Sequence, residues 1–218
     1  MRVAEIFNSL QGEGPEAGRI TTFIRLQGCN FFPVSCHYCD TKYAQDPNGK
    51  CRNLSIEEIC REVLRSRRIC VTGGEPLMQD ELLGLLAQLT IQGASIDLET
   101  NGSFSVQNIK HYLTTLLIVM DWKLPSSGME RFMKLSNFQE LQTEDVVKFV
   151  CSDKEDYERA VEVMRELQHF KIYPKFYFHA LGGTAEKWLV EAILEDKLWG
   201  VYFGIQLHKL LWGNKRGV

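Results

Sequence analysis

Three cysteines stand out by their spacing: Cys29, Cys36 and Cys39 form C-x6-C-x2-C on a stretch that also holds Asn30, Pro33, Ser35 and His37. Such a composition reads as irregular backbone wrapped around something. Three thiolates can hold three irons of a 4Fe-4S cluster and leave the fourth iron open. An open iron suits a cluster that binds a small molecule, whereas an electron carrier generally completes its ligation with four cysteines. Two blander readings stay open at this point: a zinc site built from the same three cysteines and a histidine, and buried thiols with no ligand role. The stretch Thr72-Gly73-Gly74-Glu75-Pro76 raises the first reading, because two glycines let backbone approach a ligand and Glu75 supplies an acceptor.

The elements that must position these residues follow from periodicity. Segments rich in β-branched and aromatic residues predict strands near 2–7, 20–27, 69–72, 95–100, 117–122, 144–150, 175–179 and 201–207. Ser55 with Glu58 makes a capping box, and Ile56, Ile59, Cys60, Val63 and Leu64 fall on one face of the helix that follows, which makes Cys60 a core residue rather than a ligand. Further helices are expected over 79–91, 105–114, 130–141, 154–169 and 184–196, with Trp188, Leu189, Ala192 and Ile193 as the core face of the last. Alternating strands and helices define an α/β protein around a mainly parallel sheet. At 218 residues an open, partial TIM-like barrel fits better than a complete one, which usually needs about 250. No repeat, linker or charge block divides the chain, so residues 1–218 read as a single domain.

In such folds the chemistry sits at the C-terminal ends of the strands. The unusual polar residues do follow the expected strands: Cys29 after 20–27, Gly73-Gly74-Glu75-Pro76 after 69–72, Asn101-Gly102 after 95–100 and Lys123 after 117–122. Four loops are thereby expected on one rim.

Composition bounds the function. With 44% hydrophobic and 24% charged residues the chain is globular, and a net charge of −3 excludes nucleic-acid binding by bulk electrostatics. The start lacks an apolar leader, and the longest aliphatic run, Leu116-Leu117-Ile118-Val119-Met120, is far too short to span a bilayer. The expectation is a cytoplasmic protein that binds neither membrane nor nucleic acid. Seven cysteines are many for that compartment and odd in number, which argues for metal or redox chemistry over a disulfide framework. Cys51, Cys70 and Cys151 have no ligand spacing. Arg65, Arg67 and Arg68 read as a solvated helix end favoured by the helix dipole, or as a surface that greets an acidic electron donor.

Taken together, the cysteines and the Gly-Gly-Glu-Pro stretch resemble the radical S-adenosylmethionine superfamily, although its usual cysteine spacing is C-x3-C-x2-C. Within it, Ile6-Phe7-Asn8-Ser9-Leu10-Gln11-Gly12-Glu13-Gly14-Pro15, Phe23-Ile24-Arg25-Leu26-Gln27-Gly28-Cys29, Cys39-Asp40-Thr41, Glu99-Thr100-Asn101-Gly102, Lys123-Leu124-Pro125-Ser126-Ser127-Gly128 and Gln206-Leu207-His208-Lys209 are similar to the 7-carboxy-7-deazaguanine synthase family, whose members vary the first cysteine gap. The resemblance spans nearly the whole chain. It implies a radical SAM core with small modifications and a lyase that rearranges 6-carboxy-5,6,7,8-tetrahydropterin to 7-carboxy-7-deazaguanine with loss of ammonia, on the route to queuosine, archaeosine and other 7-deazapurines.

The same resemblance implies the residue roles. Cys29, Cys36 and Cys39 would hold the 4Fe-4S cluster; Tyr38, Asp40, Gly74, Glu75, Lys123 and His179 would hold S-adenosylmethionine. Leu10, Gln11, Gly12, Arg25, Thr72 and His208 would meet the pterin, with Arg25 pairing its carboxylate. Thr41 matches the family's magnesium ligand, a hard oxygen for a hard cation. Taken alone, Thr41 is a common capping residue, Arg25 a common surface ion-pair partner, and Glu99 at a strand end a holder of backbone amides. A homodimer and a low-potential donor such as flavodoxin or ferredoxin are also implied. Two competitors remain: an activating enzyme of the same superfamily that places a glycyl radical on a partner protein, and a non-catalytic zinc or iron-sulfur module.

Overall fold

Residues 1–182 and 186–218 are described by a computed structural model, in which every strand-forming segment joins one sheet. The strands are β1 (Arg2–Leu10), β2 (Ile20–Leu26), β3 (Arg52–Asn53), β4 (Arg68–Gly73), β5 (Ser95–Thr100), β6 (Leu117–Trp122), β7 (Val146–Cys151), β8 (Lys175–Ala180) and β9 (Val201–Gly204), in the order β3-β1-β2-β4-β5-β6-β7-β8-β9. From β2 across β4 to β9 all neighbours are parallel, while β1 runs antiparallel to β2 and β3. The end strands β3 and β9 do not meet, so the barrel is open as expected. Parallel neighbours require long crossovers. Most of these carry a helix: α1 (Ile56–Glu62), α2 (Leu82–Ile91), α3 (Gln107–Tyr112), α4 (Lys154–His169) and α5 (Lys187–Glu195), with α6 (Leu207–Trp212) following the last strand.

Successive strand residues point to opposite faces, and the two faces have opposite chemistry. Ile24, Leu26, Ile69, Val71, Ile96, Leu98, Ile118, Met120, Val147, Phe149, Phe176 and Phe178 belong to the main core, packed with Ile59, Leu85, Leu89, Ile109, Val161, Leu167 and Leu189 of the helices. The other parity carries Arg25, Thr72, Glu99, Asp121, Lys148 and His179 toward a cavity. Val119, Val146 and Tyr177 form a small apolar floor on that inner side.

Ser55 caps α1 in the expected reciprocal box with Glu58, and Cys60 lies in the core. Beneath the helices, Lys110 of α3 and Asp145 form a fully buried pair at 2.7 Å. Lys110 also donates to the Leu116 carbonyl, and Asp145 accepts from the backbone N–H groups of Ile118 and Gln142.

Several expectations change. No α-helix forms over 130–141; single 3-10 turns occupy Glu130–Phe132 and Leu135–Phe138. The apolar residues there serve two surfaces. Met129 and Met133 pack on the cysteine loop, whereas Phe138 packs on Trp122 in the main core, and extended backbone at Met133 separates the turns. The strand expected to 207 stops at Gly204, because Leu207 already begins α6. Of the helix expected over 184–196, residues 184 and 185 lie outside the described residues, and α5 runs from Lys187 to Glu195 with Leu189 buried. Arg68 is not part of a solvated helix end. It starts β4, is buried, and clasps Asp97 at 2.7 and 3.0 Å, while Arg65 and Arg67 remain exposed.

Candidate functional site

The strand ends and their loops enclose one cavity of about 690 Å³. Its wall includes the cysteine loop, Gly73 and Gly74, Asn101 and Lys123, with Arg25, Thr72, Glu99, Val119, Asp121, Lys148 and His179 from the inner face. The loop is pinned at its base by Gly28 N–H to the Ala44 carbonyl and Cys29 N–H to the Gln45 carbonyl, both at 2.8 Å. Inside it, Phe32 N–H donates to the Cys29 carbonyl and Cys39 N–H to the Cys36 carbonyl. His37 turns away to Ser126 and Ser127 through its ring and its backbone, so it is not a fourth ligand.

All three sulfurs belong to cavity-lining residues, and Phe31, Met129 and Met133 pack around Cys29 and Cys36. Burial pushes the Cys29 thiol up to about 11, with Glu75 and the other two cysteines adding to the rise; burial also raises Cys36, against the pull of Lys123. Binding as thiolates would therefore release protons. Among the described residues, no three His, Cys, Asp or Glu side chains converge closely enough to hold one metal ion. That spread does not fit a mononuclear zinc tetrahedron. The three cysteines do share one cavity wall and lie within electrostatic reach of one another.

The two glycines after β4 have a structural reason visible in the backbone. Gly74 N–H donates to the Leu26 carbonyl and Glu75 N–H to the Gly28 carbonyl at 2.7 Å, and a Cβ at Gly73 or Gly74 would overlap that chain. The loop after β4 is thus welded to the root of the cysteine loop. Glu75 does not line the cavity. Its carboxylate accepts from Leu77 N–H, Thr100 Oγ1 and Asn101 N–H, tying the ends of β4 and β5 together. Burial pushes this carboxyl up to about 7, although those hydrogen bonds oppose the rise. Asn101 then reaches Asn30 at 2.9 Å and approaches Cys29 Sγ.

The other residues singled out by sequence all line the cavity: Leu10, Gln11, Gly12, Arg25, Tyr38, Asp40, Thr41, Thr72, Lys123, His179 and His208. Arg25 is largely buried, not a surface residue; its Nε donates to Glu5 at 2.9 Å, which leaves the terminal nitrogens of its fork without a hydrogen bond among the described residues. Thr72 is its register partner on β4. Gln11 Nε2 donates to Glu99 at 3.3 Å, and Gly12 lies so close to the His208 ring that a Cβ would overlap it. Thr41 precedes a 3-10 turn but makes no capping bond; its hydroxyl lies 3.5 Å from Cys39 Sγ. Asp40 is exposed and lies 3.4 Å from Lys209. Burial raises the Tyr38 phenol, against the pull of Lys123.

Further charged residues complete the wall. Asp121 holds Lys123 at 2.5 Å and lies 3.1 Å from Lys148, its register partner on β7. Lys148 also meets Glu13 at 2.8 Å, and Glu13 accepts from Gln206. Burial works against charge here, yet Lys123 and Lys148 hold Asp121 below its ordinary range, and Lys148 and His179 do the same for Glu13. His179 has neither ring nitrogen hydrogen-bonded among the described residues, and burial lowers its pKa, against the pull of Glu13. Asp121 and Lys148 carried a signal in the sequence: each is a lone charge inside an otherwise apolar strand, and charged residues are almost never buried without a partner.

Residues 23–118 match the model of the Radical SAM superfamily. The fold agrees: the crystal structure of QueE from Escherichia coli superposes with a TM-score of 0.72 at 24% identity, over 95% of this chain and 94% of that one. Streptococcus suis SuiB bound to S-adenosylmethionine gives 0.55 at 14% identity, over 78% of this chain and 48% of that one. Among curated proteins, the 7-carboxy-7-deazaguanine synthase of Clostridium acetobutylicum is 37% identical over 100% of this chain and 99% of its own length. That of Thermoplasma acidophilum is 30% identical over the full length of both. The chain belongs to the 7-carboxy-7-deazaguanine synthase family. Membership implies a 4Fe-4S cluster and S-adenosylmethionine, and it displaces the glycyl-radical activating enzyme and the non-catalytic module as readings.

Proposed function

We propose that this protein is a lyase that converts 6-carboxy-5,6,7,8-tetrahydropterin to 7-carboxy-7-deazaguanine with release of ammonia, in 7-deazapurine biosynthesis. The observation that carries the reading is a single cavity lined both by the cysteine triplet and by a forked cation, Arg25, beside Leu10-Gln11-Gly12 and Thr72. When bound, the cluster and S-adenosylmethionine supply one-electron chemistry able to take a hydrogen atom from carbon. The chain supplies the rest. Cys29, Cys36 and Cys39 hold the cluster, and Gly74, Tyr38, Asp40, Lys123 and His179 hold S-adenosylmethionine, with Glu75 acting by fixing the loop that carries Gly74. Arg25 pairs with the pterin carboxylate through its free fork, a charge-assisted geometry that orients as well as binds. Backbone groups of Leu10 to Gly12, the Thr72 hydroxyl and His208 meet the ring edge.

In this reading Thr41 would offer its hydroxyl to a magnesium ion, which would supply positive charge to orient the substrate and stabilise the ring contraction. The enzyme works in the cytoplasm as a homodimer of single-domain chains and draws electrons from a carrier such as flavodoxin or ferredoxin. No helix among the described residues is long and apolar enough to cross a membrane.

The test is anaerobic reconstitution with iron and sulfide, followed by dithionite, S-adenosylmethionine, magnesium and the pterin. Mass spectrometry should find 7-carboxy-7-deazaguanine. Formation of 5′-deoxyadenosine alone would keep the superfamily chemistry and overturn the substrate. Thr41→Ala should shift the magnesium dependence of the rate; an unchanged dependence removes Thr41 from the metal.

A further inference from the structure

Two groups of residues share the cavity. In one, Cys36, Tyr38 and Asp121 lie within the electrostatic reach of Lys123. In the other, Gln11 bonds Glu99, Gly12 packs on His208, and Arg25 feels both Glu5 and Glu99. Lys148 touches both groups. Its Nζ lies 3.1 Å from Asp121 Oδ1 and 2.8 Å from Glu13 Oε2. On one side Asp121 holds Lys123. On the other, Glu13 directly follows Gly12 and is clasped by Gln206, while Leu207 N–H donates to the Gly12 carbonyl at 3.0 Å. The result is a continuous chain, Lys123–Asp121–Lys148–Glu13, from the cysteine side to the Gln11-Gly12 loop.

The chain is unfinished. Asp121 Oδ1 lies near Lys148 but receives no well-directed hydrogen bond, and His179, beside Glu13, has none at either nitrogen among the described residues. Two ammonium groups and two carboxylates balance in charge, so a ligand carboxylate arriving at Lys123 takes a share of the cation that Asp121 otherwise holds. Asp121 then turns its free oxygen to Lys148, whose ammonium has three donors and so can hold Asp121 and Glu13 at once, which settles Glu13 and the loop before it in one position.

We propose that Lys148 is a positioning residue that couples the two ligand subsites, so that S-adenosylmethionine at Lys123 and the pterin at Leu10 to Gly12 each tighten the binding of the other. This rests on the reading of those subsites given above. Whichever ligand binds first orders the shared chain, and the second meets it already ordered. The effect is reciprocal, as any coupling of two binding equilibria must be.

The test measures S-adenosylmethionine affinity calorimetrically, in cluster-loaded protein without reductant, with and without saturating 6-carboxytetrahydropterin. In the wild type the pterin should tighten binding by at least about fivefold, the lower end of ordinary coupling between sites. Lys148→Met and Glu13→Gln, which cut the chain at different links, should each reduce that effect to less than about twofold. Lys148→Arg, which keeps the charge and the reach, should restore it. Should Lys148→Met fail to take up iron, Glu13→Gln carries the test. A merely structural Lys148 would weaken both ligands and leave their mutual effect intact, and that result overturns the proposal. So does a wild type that binds both ligands with no effect of one on the other. A wild type that binds neither overturns the underlying reading of the site, and the coupling with it.

Discussion

Lys110 with Asp145 and Lys148 with Asp121 pair the same residue types in opposite states of completion. Beneath the helices, Asp145 accepts from Lys110 and from two backbone N–H groups, and Lys110 also reaches a carbonyl. In the cavity, Asp121 keeps an oxygen without a hydrogen bond. Buried polar groups are nearly always satisfied, so the finished pair reads as a strut and the unfinished one as part of a receptor.

Replacing each lysine by methionine tests that distinction most severely. Lys110→Met strands Asp145 as a buried charge and should cost about 3–5 kcal/mol in urea unfolding of the apoprotein. Lys148→Met opens onto a cavity that water can enter and should cost less than about 1.5 kcal/mol. Equal losses would erase the contrast. A smaller effect is expected at Arg25, whose free fork places it on the unfinished side. Arg25→Ala should raise the KM for the pterin about 10- to 100-fold, the worth of a charged hydrogen bond, with cluster absorbance retained. An unchanged KM would take Arg25 away from the substrate carboxylate.

Glu75 sharpens the comparison by being finished while lying next to the site. Its carboxyl sits at about 7, above its ordinary value, so between roughly pH 4.5 and 7 the folded protein keeps a proton that the unfolded chain has lost. Stability should therefore fall as pH rises through that window, by at most about 1.4 kcal/mol per pH unit, and Glu75→Gln should flatten the slope. Urea unfolding across the window measures it. A slope that survives the substitution assigns the proton elsewhere, and Asp97, which burial lifts to about 6 against Arg68, is the first candidate.

Strand positions were legible because a strand buried on both sides announces itself by β-branched and aromatic residues, whichever face they serve. The rim was legible for a related reason: Cys29, Gly74, Asn101 and Lys123 each follow such a run. The helix expected over 130–141 does not form because Met129 and Met133 pack on the cysteine loop whereas Phe138 packs on Trp122 in the main core. Glu13, Asp121 and Lys148 escaped notice for a different reason. Asp121 and Lys148 are lone charges in apolar strands, but a segment read alone does not name their partners; only the register of β6 against β7 and the return of Gln206 bring the three together. The carboxylate of Glu75 accepts from the backbone of Asn101, a tie between strand ends that the motif alone does not reveal.

The bond from Gln206 to Glu13 joins residues 193 positions apart, and Arg216 likewise reaches back to Glu5 and stacks on Tyr43. No residue of α6 is buried and residues 210–217 are exposed, so little packing backs these contacts. This seam is therefore expected to form late in folding and to part first in native fluctuations, with the residues after β9 swinging off the cavity while the sheet stays intact. Amide exchange in α6 should then run ahead of exchange in β4 to β7, and ligand exchange should keep the tempo of that opening.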